Sequence, residues 1–281
     1  MKNVISMEDL RYILHDEDLV IFDCSFDLSS PDKMFLNYQT EHLPNAIYAH
    51  LEHDLSGPVT DLSGRHPLPL VANFKKWLMK LGVSLKHQIV IYDNFNGGLA
   101  ARLWFMLSQL GYTTVSLYLG GLAEWKVNGL PTESGFPKPR KSLEELNVQS
   151  DWKGRFRIYS SSEVNELIDS EQYNLIDSRS PERYQGEVEP YDSIAGHIPS
   201  AKNHFWKLNL DGIRPQPTEY LQTIFKELIP EYKTSIFYCG SGVTACFNLF
   251  IADQLGLFAG IYIGSWSEWL KNYPDKITQE T

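Results

Sequence analysis

Cysteine is scarce in this 281-residue chain, and Cys239 stands where an apolar run, SIFY, meets the stretch CGSGVTA (239–245). The residues that follow, ACFNLFIADQLG, have the apolar content of a buried helix. A strand, a tight loop and a helix start are therefore expected in that order. Gly240 and Gly242 permit backbone angles that turn successive N–H groups into the loop, making an anion site from Gly240, Ser241, Gly242, Val243 and Thr244. The helix start adds unpaired N–H donors and the positive end of its dipole. A thiol held there ionises more readily than an ordinary cysteine, so it can attack as a nucleophile or carry a persulfide anion, Cys–S–S⁻. Cys246, roughly two helical turns further on, reads as core, and Cys24 beside Asp23 reads as packing.

The elements that position this loop occur twice. LVIFDCS (19–25) corresponds to YNLIDSR (173–179), and EHLPNAIYAHLEHDL (41–55) to GHIPSAKNHFWKLNL (196–210). QIVIYDNFNGGLAARLWFMLSQLGY (88–112) corresponds to TSIFYCGSGVTACFNLFIADQLGL (234–257), and VSLYLGGLAEWKVNGLP (115–131) to AGIYIGSWSEWLKNYP (259–274). Four matches in one order indicate a duplication. Each half alternates strands with helices, which implies an α/β fold with a mainly parallel sheet flanked by helices and ligands at the carboxyl ends of the strands. The expected organisation is a first domain over 1–132, a Pro- and Gly-rich linker over 133–155 and a second domain over 156–281. Asp93 stands in the first copy where the second has Cys239, and a carboxylate cannot accept sulfur, so one active site per chain is expected, in the second domain.

Several segments of the second half, CGSGVTA, DSR (177–179), RYQG (183–186), GHIPSA (196–201) and GSWSEW (264–269), resemble landmarks of the rhodanese superfamily. The resemblance runs along almost the whole chain, and the loop resembles that of the 3-mercaptopyruvate branch, whereas the thiosulfate branch typically has a basic residue directly after the cysteine. It implies two tandem rhodanese-like domains and a sulfurtransferase that moves sulfur from a small-molecule donor to cyanide or a thiol, thioredoxin among them, through a Cys239 persulfide. It implies no cofactor and no metal. Arg183 matches the arginine that reaches the substrate anion. Ser241 and His66 match two members of a Ser–His–Asp trio that manages the pyruvate leaving group, and His66, from the first repeat, implies a cleft between domains. The acid of that trio is unmatched: Ser56 stands at the aligned position, with Asp54 and Asp61 nearby. A second substrate arginine is also missing from EVEPYDS (187–193), where Tyr191 stands, and Arg65 beside His66 is the candidate to supply its charge. The alternatives are a thiosulfate:cyanide sulfurtransferase and a sulfur-carrier or binding module without turnover.

Other chemistries fit less well. A formal net charge of -10 opposes a phosphate-tracking surface, so no nucleic acid partner is expected. The first residues carry acid where a secretory signal needs an apolar run, and no later stretch approaches membrane-spanning length, so a cytoplasmic chain without a membrane partner is expected. His50 and His53 are spaced to bind a metal but lack the company of cysteines or an HExxH pattern. A cysteine phosphatase would place arginine six residues after the nucleophile, and that residue is Ala245. His42 and His197, in HLP and HIP, read as turns held by a side-chain hydrogen bond. Trp125 and Trp269 read as core, and Trp266 as either core or a cap on the cleft.

Overall fold

The computed structural model describes residues 1–279 and divides into two compact units, one formed by 1–57 and 69–155 and the other by 58–68 and 156–279. In the first unit four apolar segments pair in parallel: Leu19–Asp23 (β1), Ile47–Tyr48 (β2), Gln88–Tyr92 (β3) and Val115–Tyr118 (β4), in the order β2-β1-β3-β4. Every residue of β1 is buried, as expected of a parallel strand covered on both faces. The helices of this unit are Met7–Ile13 (α1), Pro31–Thr40 (α2), Val71–Lys80 (α3), Ala100–Gln109 (α4) and Gly121–Val127 (α5).

The second unit repeats the plan with Tyr173–Asp177 (β5), Lys202–Asn203 (β6), Thr234–Tyr238 (β9) and Gly260–Ile261 (β10) in a parallel sheet ordered β10-β9-β5-β6. It adds a short antiparallel pair, Leu210–Asp211 (β7) with Arg214–Pro215 (β8). Its helices are Ser161–Leu167 (α6), Pro181–Gln185 (α7), Thr218–Leu228 (α8), Ala245–Gln254 (α9) and Ser265–Asn272 (α10). Taking β1 with β5, β2 with β6, β3 with β9 and β4 with β10, the two sheets have the same strand order. The agreement reaches single hydrogen bonds. His42 Nδ1 lies 2.8 Å from the Tyr38 carbonyl and His197 Nδ1 lies 2.8 Å from that of Tyr184. Each histidine ring stacks on the same tyrosine, which makes both residues turn-holders rather than chemistry. Trp125 and Trp269 are fully buried, and each indole N–H donates to a carbonyl a few residues on, at 2.7 Å in both cases.

The stretch expected to be a linker, 133–155, packs with the first unit. Glu133 exchanges two backbone hydrogen bonds with His42, Leu143 N–H donates to Met79, and the Trp152 indole donates to Pro69. Proline and glycine there mark irregular backbone, but buried Leu146 and the Trp152 indole give it tertiary anchors. The 58–68 segment, which carries Arg65 and His66, lies within the first repeat in sequence but packs with the second unit. Arg65 N–H donates to Ser267 Oγ at 3.1 Å, and side chains of α10 reach the Thr60 and Leu62 carbonyls. An ideal Cβ on Gly64 would come within 2.6 Å of the Gly264 carbonyl oxygen, so glycine permits this close approach.

Candidate active site

Strand β9 ends at Tyr238, and the next residue, Cys239, is 2% exposed. Its sulfur receives the backbone N–H groups of Ser241, Val243 and Ala245 and the Thr244 hydroxyl. Burial pushes the thiol pKa up, but these donors outweigh it and hold the thiol below its ordinary value. The loop is clamped by the start of α10. Trp266 and Ser267 donate their N–H groups to the Cys239 and Gly240 carbonyls at 3.0 and 2.9 Å. Ser265, at φ +55°, accepts the Cys239 N–H at 3.1 Å and places its hydroxyl 4.0 Å from the sulfur. Alkylation by iodoacetamide should therefore reach half its maximal rate below the pH of an ordinary cysteine, about 8.5. The rate falls as pH drops through the Cys239 pKa, and a midpoint at or above the ordinary value would mean that burial prevails.

The corresponding loop of the first unit closes around a carboxyl group of its own. Asp93 Oδ1 accepts the N–H groups of Phe95 and Gly97 at 2.7 and 2.8 Å, and Oδ2 those of Leu99 and Ala100, both at 2.7 Å. The donors to Asp93 lie two, four, six and seven residues on, and the backbone donors to Cys239 lie two, four and six residues on. Three residues on, Asn96 and Gly242 both have positive φ, +53° and +72°. Both copies thus build the same cradle of inward-pointing N–H groups, although in the first burial outweighs the four donors and pushes the Asp93 carboxyl up.

Around the mouth of the second cradle, Ser241 Oγ lies 2.8 Å from His66 Nδ1, and both residues are buried. Arg65 and Arg183 flank Gly240: a Cβ there would lie 3.1 Å from Arg65 Nη2 and 3.2 Å from Arg183 Nη2. Glycine at 240 therefore makes room for two guanidiniums beside the nucleophile. Arg183 is held by Glu189 through Nε and Nη2 at 3.1 and 2.7 Å, and Arg65 pairs with Asp192. Tyr191, which stands where a second substrate arginine was expected, presents its ring to both guanidiniums, 5.8 Å from Arg65 Cζ and 5.1 Å from Arg183 Cζ. Arg179 is buried, bound to Asp177, Glu189 and the Gly196 carbonyl.

Cys239, Ser241, His66, Arg183, Gly240, Gly242, Val243, Thr244 and Arg65 thus all fall within one unit. The expectation that His66 reaches the site as part of the first domain is corrected by the packing of 58–68 with the second. Trp266 does not cap a cleft; it is fully buried, under the Arg179 guanidinium at 4.8 Å, with its indole N–H on the Ile194 carbonyl. Of the residues considered for the acid of the trio, Asp54 accepts the His50 N–H, Ser56 donates to the Leu51 carbonyl, and Asp61 is exposed. Cys24 is buried, and burial, Asp93 and Asp23 push its thiol well up, while Cys246 directs its thiol to the Gly242 carbonyl at 3.4 Å. Ser265, Glu189 and Asp192 escaped the sequence reading. Ser265 was marked only by its correspondence with Gly121, another positive-φ position, at +58°. No helix among the described residues is long and apolar enough to cross a membrane.

A repeated parallel sheet of one strand order, with an anion cradle at the end of the corresponding strand in each copy, defines a duplicated α/β chain of the rhodanese type. The Rhodanese-like domain model matches residues 6–128 and 160–272, and the chain belongs to that family. It is 38% identical over 274 residues to a Pseudomonas aeruginosa protein named "Probable 3-mercaptopyruvate sulfurtransferase", covering 95% of this chain and 94% of that one. It is 31% identical over 271 residues to "Putative thiosulfate sulfurtransferase SseB" of Mycobacterium tuberculosis, covering 95% of this chain and 93% of that one. Among solved structures, the 3-mercaptopyruvate sulfurtransferase from Leishmania major superposes with a TM-score of 0.83 at 29% identity, covering 99% of this chain and 77% of that one.

Proposed function

We propose that this chain is a sulfurtransferase that takes sulfur from 3-mercaptopyruvate and passes it to cyanide or a thiol through a persulfide on Cys239. The observation that carries this reading is the buried Cys239 sulfur, held below its ordinary pKa by three backbone N–H groups and the Thr244 hydroxyl. In the first step the Cys239 thiolate attacks the donor's thiol sulfur. An S–S bond forms, the donor C–S bond breaks, and its electron pair passes to carbon as the pyruvate enolate. The thiol proton moves to that carbon, giving pyruvate and Cys–S–S⁻; Ser241 and His66, 2.8 Å apart, are the pair that carries it. In the second step cyanide or a thiolate attacks the outer sulfur and releases the Cys239 thiolate.

Arg183 and Arg65 take the donor carboxylate, since both guanidiniums lie against Gly240, the residue next to the nucleophile. The similarity to a protein named for 3-mercaptopyruvate supports this donor. The first unit takes no sulfur in this reading, because Asp93 fills its own cradle. The similarity to a protein named for thiosulfate favours thiosulfate as the second donor. Steady-state thiocyanate formation from each donor separately decides between them: kcat/KM should be higher with 3-mercaptopyruvate. A higher value with thiosulfate would reassign the donor, and a single equivalent of thiocyanate without turnover would make the chain a carrier.

A further inference from the structure

Three guanidiniums and three carboxylates of the second unit form one alternating chain, Asp177–Arg179–Glu189–Arg183–Asp192–Arg65. Its two ends differ. Asp177 takes both Nε and Nη2 of Arg179, and Glu189 accepts from Arg179, Arg183 and the Tyr191 N–H. These carboxylates are fixed on every side. Asp192 Oδ2 is buried without a hydrogen bond, 3.8 Å from Arg183 Nη2, and Arg65 Nε is likewise buried without an acceptor. Unmatched buried groups cost free energy, and here they lie together on the two guanidiniums that flank Gly240.

We propose that Asp192 is a specificity-determining residue: its carboxylate occupies, on Arg65 and Arg183, the place of the donor's carboxylate and exchanges with it. The proposal rests on the sulfurtransferase reading above. Tyr191, Ser193 and Ile194 are exposed, so the Asp192 side chain has a path to solvent that disturbs little packing. A donor carboxylate arriving in its place brings two acceptor oxygens to guanidiniums that are already positioned, including the unmatched Arg65 Nε. Asp192 also selects by repulsion, and Coulomb energy scales with the charge of the approaching donor. A dianion such as thiosulfate is therefore opposed more strongly than a 2-oxo acid with one carboxylate and a protonated thiol. Specificity of this kind resides in the repulsive element as much as in the attractive one.

The test compares Asp192→Asn and Asp192→Ser with Arg65→Ala, each made with Cys239 present and with Cys239→Ser. Pyruvate binding to the Cys239→Ser forms is measured by calorimetry, and donor kinetics on the Cys239 forms use cyanide as acceptor. Either Asp192 variant should bind pyruvate about fivefold more tightly, and Arg65→Ala about fivefold more weakly, as expected for one partly buried charge contact. The ratio of kcat/KM for thiosulfate to that for 3-mercaptopyruvate should rise in both Asp192 variants. Weaker or unchanged pyruvate binding in the folded Asp192 variants overturns the proposal, because Asp192 would then serve only to hold Arg65. Failure of every form to bind pyruvate overturns it as well. If binding shifts as expected while the parent forms no thiocyanate from either donor, the sulfurtransferase reading fails and the carboxylate exchange stands.

Discussion

Cys239→Ser should leave the protein folded and reduce thiocyanate formation from either donor by at least about 10³-fold, to the level of the uncatalysed reaction. The substitution exchanges one atom. The serine hydroxyl fits the cradle that holds the sulfur, so the melting temperature should change little. It does not ionise near neutral pH, and it cannot form a bond to a second sulfur that a later nucleophile will cleave. Cradle, arginines and the Ser241–His66 pair all persist, so the loss isolates the sulfur itself. Mass spectrometry supplies the second readout: after incubation with donor and no acceptor, the parent should gain the mass of one sulfur atom and the variant should not. Residual turnover at a tenth of the parent rate would locate the chemistry elsewhere. The other thiols are poorly suited to take over. Burial and the nearby carboxylates raise the Cys24 pKa, and Cys246 is buried in α9 and bound to the Gly242 carbonyl.

What the sequence makes legible here is whatever depends on local order. The strand SIFY, the glycines of the loop and the apolar helix behind it are consecutive, so their geometry follows from residue type and spacing, and the cradle was readable with its nucleophile. The duplication was readable for the same reason, down to the paired turns of His42 and His197. Side chains brought from a distance were harder to place. Arg65 and His66 belong in sequence to the first repeat, yet Gly64 lets their segment approach the Gly264 carbonyl, and the Arg65 N–H meets Ser267 across 202 residues of chain. No periodicity encodes such a contact. The same limit hid the carboxylates: EVEPYDS was read for the arginine it lacks, whereas Glu189 and Asp192 acquire meaning only once two guanidiniums stand beside them.

Gly242→Ala should lower the melting temperature by several degrees and kcat by about 10²-fold, more than its single added methyl group suggests. Two costs combine at this position. The backbone has φ +72°, where a Cβ is disfavoured by about 1–2 kcal/mol. The methyl group would also lie 2.1 Å from the Ile263 carbonyl oxygen and 2.9 Å from both the carbonyl carbon and the Cα of that residue, all of them backbone. Asn96 holds φ +53° at the same place in the first loop, but asparagine is among the few side chains that tolerate this region, and its Nδ2 donates to the Leu119 carbonyl at 3.3 Å. Alanine at 242 has neither advantage: it brings a methyl group, not a donor, against the Ile263 carbonyl. Relief requires the loop to move away from Ile263, and the next residue, Val243, carries one of the N–H groups aimed at the Cys239 sulfur. Loss of that donor leaves burial less opposed, so the thiol pKa rises and the alkylation midpoint moves to higher pH. The pH shift distinguishes a damaged cradle from a merely less stable protein, since lowered stability alone would reduce the folded fraction without moving the midpoint. A variant with full kcat and an unmoved midpoint would mean that the donors need not be held in this arrangement, and with it the cradle would lose its place in the mechanism.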